Sequence, residues 1–179
     1  MLKLCNARIV SEADLPMLLK WRNHSNVRRL MITQHQINLE EHLNWFARAS
    51  QDPSRCLLIV EDVNQPIGYA QFTQAEEGGV TDWGFYARPD APKGTGYELC
   101  SAALDYGFRT LQFHKVCGQV IEGNDASIKL HKRLGFFQEG VLRNQRRING
   151  EYLSLYCFGL LAHEWKSMNV LKEDTHVKD

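Results

Sequence analysis

Two short segments of this 179-residue chain have the residue types and spacing to hold a phosphorylated ligand and to move a proton. The first, Pro92-Lys93-Gly94-Thr95-Gly96-Tyr97, lies between an extended run and a helical one. Its glycines let the backbone turn N–H groups toward one point beside the positive end of the following helix, which makes either a pyrophosphate cradle or an ordinary turn. It lacks the further glycine of a dinucleotide fingerprint and the Lys-Ser/Thr ending of a nucleoside-triphosphate loop. The second runs from Asn124 to Phe136 and contains Ser127, His131 and a closing Leu134-Gly135-Phe136. Asn124 and Ser127 offer side-chain oxygens that either cap a helix or meet a ligand. His131 carries an imidazole that titrates near neutral pH and can donate a proton, or else it sits on the solvated face of an amphipathic helix.

The elements that must position these groups can be read from periodicity. The first ten residues alternate polar and apolar, as a strand does. Ser11-Glu12-Ala13-Asp14 has the form of a capping box before a short helix to about Trp21, and Arg22 to Asn26 is turn-rich. Asn38-Leu39-Glu40-Glu41 repeats the cap signal before an amphipathic helix through Leu43, Phe46 and Ala47. Three strands follow: Cys56 to Val60, Ile67 to Phe72 and Val80 to Tyr86, with turns at Asn64-Gln65-Pro66 and Glu77-Gly78-Gly79. A helix from Gly96 to Phe108, a strand from Lys115 to Ile121 and a helix from Asn124 to Leu134, stopped by Gly135, come next. Two strands around Ile148-Asn149-Gly150-Glu151 complete a β-α-α-β-β-β-α-β-α-β-β order. Residues 1–166 read as one domain and 167–179 as a tail, disordered over its charged end from Lys172.

Composition narrows the function classes. Hydrophobic residues make up 44% of the chain, enough for one sizeable core. Basic and acidic residues number 21 each, so no global field draws the protein toward nucleic acid or an anionic membrane. No apolar run reaches transmembrane length, no clustered His/Cys ligands predict a metal, and no aromatic-plus-basic platform predicts a nucleic acid partner. Five scattered cysteines without a Cys-x-x-Cys pair read as reduced core thiols of a cytoplasmic protein rather than as nucleophiles.

The glycine loop, Asn124-x-x-Ser127 and the helix ending Leu134-Gly135-Phe136 together resemble the acetyl-CoA site of the GNAT N-acetyltransferase superfamily. The resemblance implies an α/β (α+β) fold: a central mixed, mostly antiparallel seven-stranded sheet, splayed between strands 4 and 5 and flanked by about four helices. The pantetheine arm would pair with the fourth strand through Tyr86, Ala87 and Arg88, Lys93, Gly94, Thr95, Gly96 and Tyr97 would meet the pyrophosphate, and Asn124 and Ser127 would also bind the cofactor, Asn124 by a hydrogen bond to the pantetheine. Ala91 stands where the family usually has Gln or Arg, and Lys93 supplies charge in its place. The loop is also one residue shorter after Pro89 than in many relatives. His131 occupies the position of the family's proposed acid for the coenzyme A thiolate. Glu122, at the end of the fifth strand, is the candidate base for the acceptor ammonium, or a surface acid.

Trp21 to Met31, Ile37 to Trp45 and Phe158 to Trp165 further resemble the subfamily that acetylates UDP-4-amino-4,6-dideoxy-N-acetyl-β-L-altrosamine in pseudaminic acid biosynthesis, which supplies a sugar of bacterial flagellin. That implies a UDP-amino-sugar partner, with Arg22, Arg28 or Arg29 at the diphosphate and Met31 and Trp45 against sugar and uracil. Trp45 on a helix can equally be core. Ile32 replaces the subfamily's aromatic residue. A homodimer is compatible with this reading. Polyamine acetylation, which would call for acid clusters where the chain has scattered acidic pairs such as Glu40-Glu41 and Glu76-Glu77, protein N-terminal acetylation and non-catalytic acyl-CoA sensing are the alternatives.

Overall fold

The computed structural model describes residues 5–31, 33–63, 65–74 and 78–175, with side chains to Met168. Ile32, Asn64, the Glu76-Glu77 pair and the end of the tail from 176 lie outside the described residues. The strands are β1 (Cys5–Ile9), β2 (Cys56–Asp62), β3 (Gln65–Thr73), β4 (Val80–Ala87), β5 (Lys115–Ile121), β6 (Phe137–Ile148) and β7 (Glu151–Leu161). The helices are α1 (Leu15–Asn23), α2 (Ser25–Arg28), α3 (Leu39–Ala49), α4 (Thr95–Asp105), α5 (Asp125–Arg133) and α6 (Ala162–Thr175).

The strands form one sheet in the order β1-β2-β3-β4-β5-β7-β6. Every pairing is antiparallel except β4 with β5. That parallel pairing lasts three residues, from Val80↔Lys115 to Asp82↔Cys117. Beyond it β4 continues to Ala87 along β3, and β5 continues to Ile121 along β7. The sheet therefore opens into a V whose root is Asp82 and Cys117, and among the described residues the β4 edge facing β5 from Trp83 onward has no strand partner.

Two cores hold the V in place. On one face Phe72, Trp83, Val116 and Phe158 pack under α4, α5 and α6 through Leu99, Leu104, Leu134 and Trp165. On the other, Leu57, Ile59 and Tyr69 meet Leu15, Leu18 and Trp21 of α1 and Ala49 of α3. The second core stops at β4. Over β5 that face is open, with Cys117 half-buried and Gln119 exposed. Gly68 permits close packing at the β3–β4 step, since a Cβ there would come within 2.7 Å of Leu99 Cδ2 and 2.8 Å of the Tyr86 carbonyl oxygen.

Three local features depart from the sequence expectation. The turn-rich stretch after Trp21 contains α2, whose first turn is capped by His24 Nδ1 accepting from Asn26 N–H at 3.2 Å. α4 ends at Asp105 in a wider helical turn, Tyr106–Thr110, where Gly107 lies so close to Phe72 that a Cβ would come within 2.9 Å of its ring. The segment expected as a tail from 167 is helical to Thr175. Buried Trp165 anchors α6 by donating its indole N–H to Asp105 at 2.9 Å, and Leu161 N–H donates to Glu164 at 2.8 Å in its first turn.

Candidate active site

The glycine loop forms the head of α4. Gly94 is the N-cap in a left-handed conformation, φ 98°, which disfavours any residue with a Cβ. Thr95 N–H donates to Pro92 O and Tyr97 N–H to Gly94 O, whereas the N–H groups of Gly94 and Gly96 donate to no acceptor among the described residues. Two free amides at a helix N-terminus suit an anion. A Cβ at Gly94 would meet nothing within 4 Å, so this side of the loop is open. Lys93 is exposed, whereas Thr95 is buried with its N–H already taken by Pro92 O. Arg133 lies over the Tyr97 ring at 4.3 Å and fixes it between α4 and α5. Tyr86, Ala87 and Arg88 lie at the end of the β4 arm, where Arg88 N–H is taken by Ile67 O at 2.9 Å.

α5 begins beside the opposite arm. Asn124 caps it through Oδ1, which accepts from Ser127 N–H at 3.2 Å. Its capping role is thus visible, and its amide nitrogen remains for other use. Glu122 is exposed at the end of β5, where Oε2 accepts from Ser154 N–H at 2.9 Å and joins β5 to β7. Hydrogen bonds from the Ser154 backbone and side chain hold its carboxyl below the usual glutamate range.

His131 is not on the solvated face of α5. It is 2% exposed and points inward to the root of the V. Its Nε2 accepts from Trp83 Nε1–H at 3.2 Å, and Nδ1 lies 2.8 Å from the Ser127 carbonyl oxygen, to which it can only donate. Those partners assign the neutral Nδ1–H tautomer. Burial pushes the ring's pKa below 6.5, against the opposing Ser127 hydrogen bond. Neither ring nitrogen is free to meet a thiolate in this arrangement. Trp83 and Gly118, which frame the ring, were not among the expected site residues. An isolated glycine inside a strand pattern signals close approach, and a buried indole requires an acceptor, so a signal for both was present.

Arg22 lies on the opposite side of the sheet from His131. It is half-buried, its Nη2 donates to Thr33 O at 2.8 Å, and its Nη1 is buried with no hydrogen-bond partner among the described residues. Burial lowers its pKa, with Tyr86 and Glu41 opposing that shift and Arg28 adding to it. Tyr86 packs against Tyr69 at 5.1 Å, and burial raises its hydroxyl pKa. Trp45 stacks on His42 at 5.4 Å and meets the Tyr69 ring edge-on at 6.3 Å. It therefore belongs to the second core, and it also borders a shallow hollow with Arg48, Asp52 and Arg55. Arg28 and Met31 are half-buried around the end of α2, and Arg29 is exposed. Asn23 ties α1 to the segment before α3 by exchanging hydrogen bonds with the Ile37 backbone at 2.7 and 2.8 Å.

Three of the thiols are the reverse of activated. Burial pushes Cys56 up to about 11 and raises Cys100 and Cys117 as well. Among the described residues no group of three or more His, Cys, Asp or Glu is placed to hold a metal ion, and no helix is long and apolar enough to cross a membrane.

A V-shaped opening beside a glycine-headed helix is the arrangement that the sequence motifs required. A family model described as an acetyltransferase (GNAT) domain matches residues 7–137, well over half of the chain. The chain belongs to the GNAT acetyltransferase family. As a GNAT protein it is an acetyl-CoA-dependent N-acetyltransferase. Among curated relatives it is similar to acetyltransferase PseH of Campylobacter jejuni, 30% identical over 136 residues that span 76% of this chain and 85% of the relative. It is also similar to spermidine N(1)-acetyltransferase of Escherichia coli, 32% identical over 73 residues, 41% of this chain and 39% of the relative. The spermidine N-acetyltransferase of Vibrio cholerae, solved with CoA and spermine, superimposes with a TM-score of 0.81 over 90% of this chain and 97% of that one. At 23% identity that likeness speaks to the GNAT fold alone.

Proposed function

We propose that this GNAT enzyme acetylates the 4-amino group of UDP-4-amino-4,6-dideoxy-N-acetyl-β-L-altrosamine, a cytoplasmic step of pseudaminic acid biosynthesis. The observation that carries the acceptor class is Arg22, whose unpaired, buried Nη1 lies on the side of the sheet where the V is open. A guanidinium with one nitrogen kept dry and short of an acceptor suits a diphosphate and repels a polycation. The likeness to PseH over most of both chains supports the same reading.

On this reading the pantetheine arm lies along the free edge of β4 near Tyr86, Ala87 and Arg88, and the pyrophosphate meets Lys93 and the loop from Gly94 to Tyr97. Asn124 and Ser127 line the α5 side. Arg22 and Arg28 hold the diphosphate of the acceptor, and Met31 and Trp45 bound the sugar and base. The neutral amine attacks the thioester carbonyl, the C–N bond forms, and the oxyanion is held by backbone N–H before the C–S bond breaks. Glu122, kept ionised by Ser154, takes the amine proton through a water. The thiolate takes a proton from water, since a thiol of pKa about 8.5 leaves as a stable anion near neutral pH without a dedicated acid.

The test is acceptor-dependent coenzyme A release from acetyl-CoA by the purified protein, with the UDP-4-amino sugar against spermidine. Release with the sugar nucleotide alone is the expected result. Release with spermidine alone overturns the acceptor, and acetyl-CoA binding without release to either overturns this acceptor and points to another amine or to a sensor.

A further inference from the structure

His131 sits one step beyond the last β4–β5 pair. After Asp82↔Cys117 the next residues are Trp83 on β4 and Gly118 on β5, where the arms begin to part. The imidazole fills this point. A Cβ on Gly118 would come within 2.5 Å of His131 Nε2 and 2.8 Å of Trp83 Nε1, so glycine is the residue that lets the ring and the indole meet over β5. The ring is boxed by Phe158, stacked at 5.0 Å, by Phe136 and Trp83 edge-on at 5.0 and 5.7 Å, and by Phe85 at 5.8 Å.

We propose that His131 is a positioning residue: as a neutral hydrogen-bond acceptor it latches α5 to Trp83 over Gly118, fixing the depth at which the V closes and hence where the thioester stops. The inference rests on acetyl-CoA occupying the V, as proposed above. One imidazole cannot accept from Trp83 and also carry the proton for a thiolate. Protonation turns Nε2 into a donor facing a donor, so the latch opens as pH falls through the ring's pKa, below 6.5. An acid role has the opposite sign, since activity would fall as pH rises through the same value.

The groups facing the ring carry no charge: Trp83 and Phe85 from β4, Gly118 from β5, Phe136 after α5, and Phe158 from β7. Asp82 and Tyr86 on β4 and Cys117 on β5 alternate onto the other face of the sheet. Tyr156 shares the ring's face two residues from Phe158, and Lys129, Lys132 and Arg133 of α5 are exposed.

The test uses the four tryptophan indole N–H signals in a nitrogen-15 NMR spectrum of the whole protein, with Trp83 assigned by its loss in Trp83→Phe. The latch requires the Trp83 signal to titrate once, below pH 6.5, and to stop titrating in His131→Gln, whose amide oxygen can still accept. That variant should keep kcat within about threefold, while His131→Phe, which leaves the indole unpaired, should lose roughly tenfold in kcat/KM. A Trp83 signal indifferent to pH and to His131→Gln overturns the latch. So does a loss of about 100-fold in kcat in His131→Gln at unchanged acetyl-CoA affinity, the signature of a missing acid. The NMR readout needs no ligand, so failure of the acetyl-CoA reading shows separately, as absence of turnover in the unaltered enzyme.

Discussion

A buried donor without an acceptor costs about 1–3 kcal/mol, and Arg22 retains one at Nη1 while Nη2 is satisfied by Thr33. Evolutionary tolerance of such a cost is explained if an acceptor's anion completes the pair. The single-residue consequence is a trade of stability against function. Arg22→Met, similar in length and apolar, should leave the free protein as stable or more so, because the orphaned nitrogen is removed along with the charge. It should also raise KM for an anionic acceptor by about tenfold or more, the equivalent of one lost charged hydrogen bond, with acetyl-CoA affinity unchanged. Thermal melts and initial rates read both quantities. Lower stability with an unaltered acceptor KM would mean that Arg22 only braces Thr33. None of this was legible in the sequence, where Arg22, Arg28 and Arg29 are equivalent basic residues. What separates them is depth, since Arg29 is exposed while Arg22 lies beneath the segment before α3.

At the scale of elements, the joint between β1, β2 and α1 carries the most distinct pH dependence. Arg8 spans Asp14 at 2.8 Å and Glu61 at 2.8 Å, and Asp14 also accepts from Ser11 N–H and Oγ–H at 2.8 and 2.9 Å. The hydrogen bond from Arg8, stronger than the cost of burial, lowers Asp14 to about 2 from 3.8. A depressed carboxyl stabilises the fold above its unfolded value and loses that contribution as pH falls through the folded one. Stability should therefore drop by about 1–2 kcal/mol between those values, allowing for screening around the half-exposed Arg8. Asp14→Asn should remove that step from a denaturation series at acid pH, and an unchanged step would assign it to other carboxylates. The capping box at Ser11 to Asp14 was readable because it is local. So were the seven strands and the glycine head of α4, which are written in alternation and in punctuation by Gly and Pro. α2 was missed because four residues carry no period. α6 escaped because its anchor, Trp165 on Asp105, joins positions 60 residues apart. The place of His131 was hidden for the same reason, since its surroundings come from β4, β5, β7 and the turn after α5, and no window of sequence contains them.

At the scale of the whole molecule, the V leaves the outer half of β4 with one bonded edge, so the two arms of the sheet are joined mainly at Asp82 and Cys117 and through the helices above them. A pantetheine arm lying along β4 adds the missing edge, and the glycine loop ties its pyrophosphate to α4, which packs on the β3 side of the sheet through Leu99. Binding should thus stiffen the molecule as a unit. At a concentration about 100 times Kd the linkage contribution is about 2.7 kcal/mol, which for a chain of this size raises Tm by roughly 5–11 °C. Amide exchange should slow along β4 from Trp83 to Ala87 and at Gly94 and Gly96, while β1 and β2 change little. Gly94→Ala, forced into a left-handed conformation at a cost of about 1–2 kcal/mol with no neighbour to strike, should lower the melting temperature of the free protein slightly. It should reduce the ligand-dependent rise by more, because the displaced amides no longer converge. A Tm rise in which β4 exchange stays fast would place the cofactor elsewhere, since only a ligand seated between the arms can protect that edge.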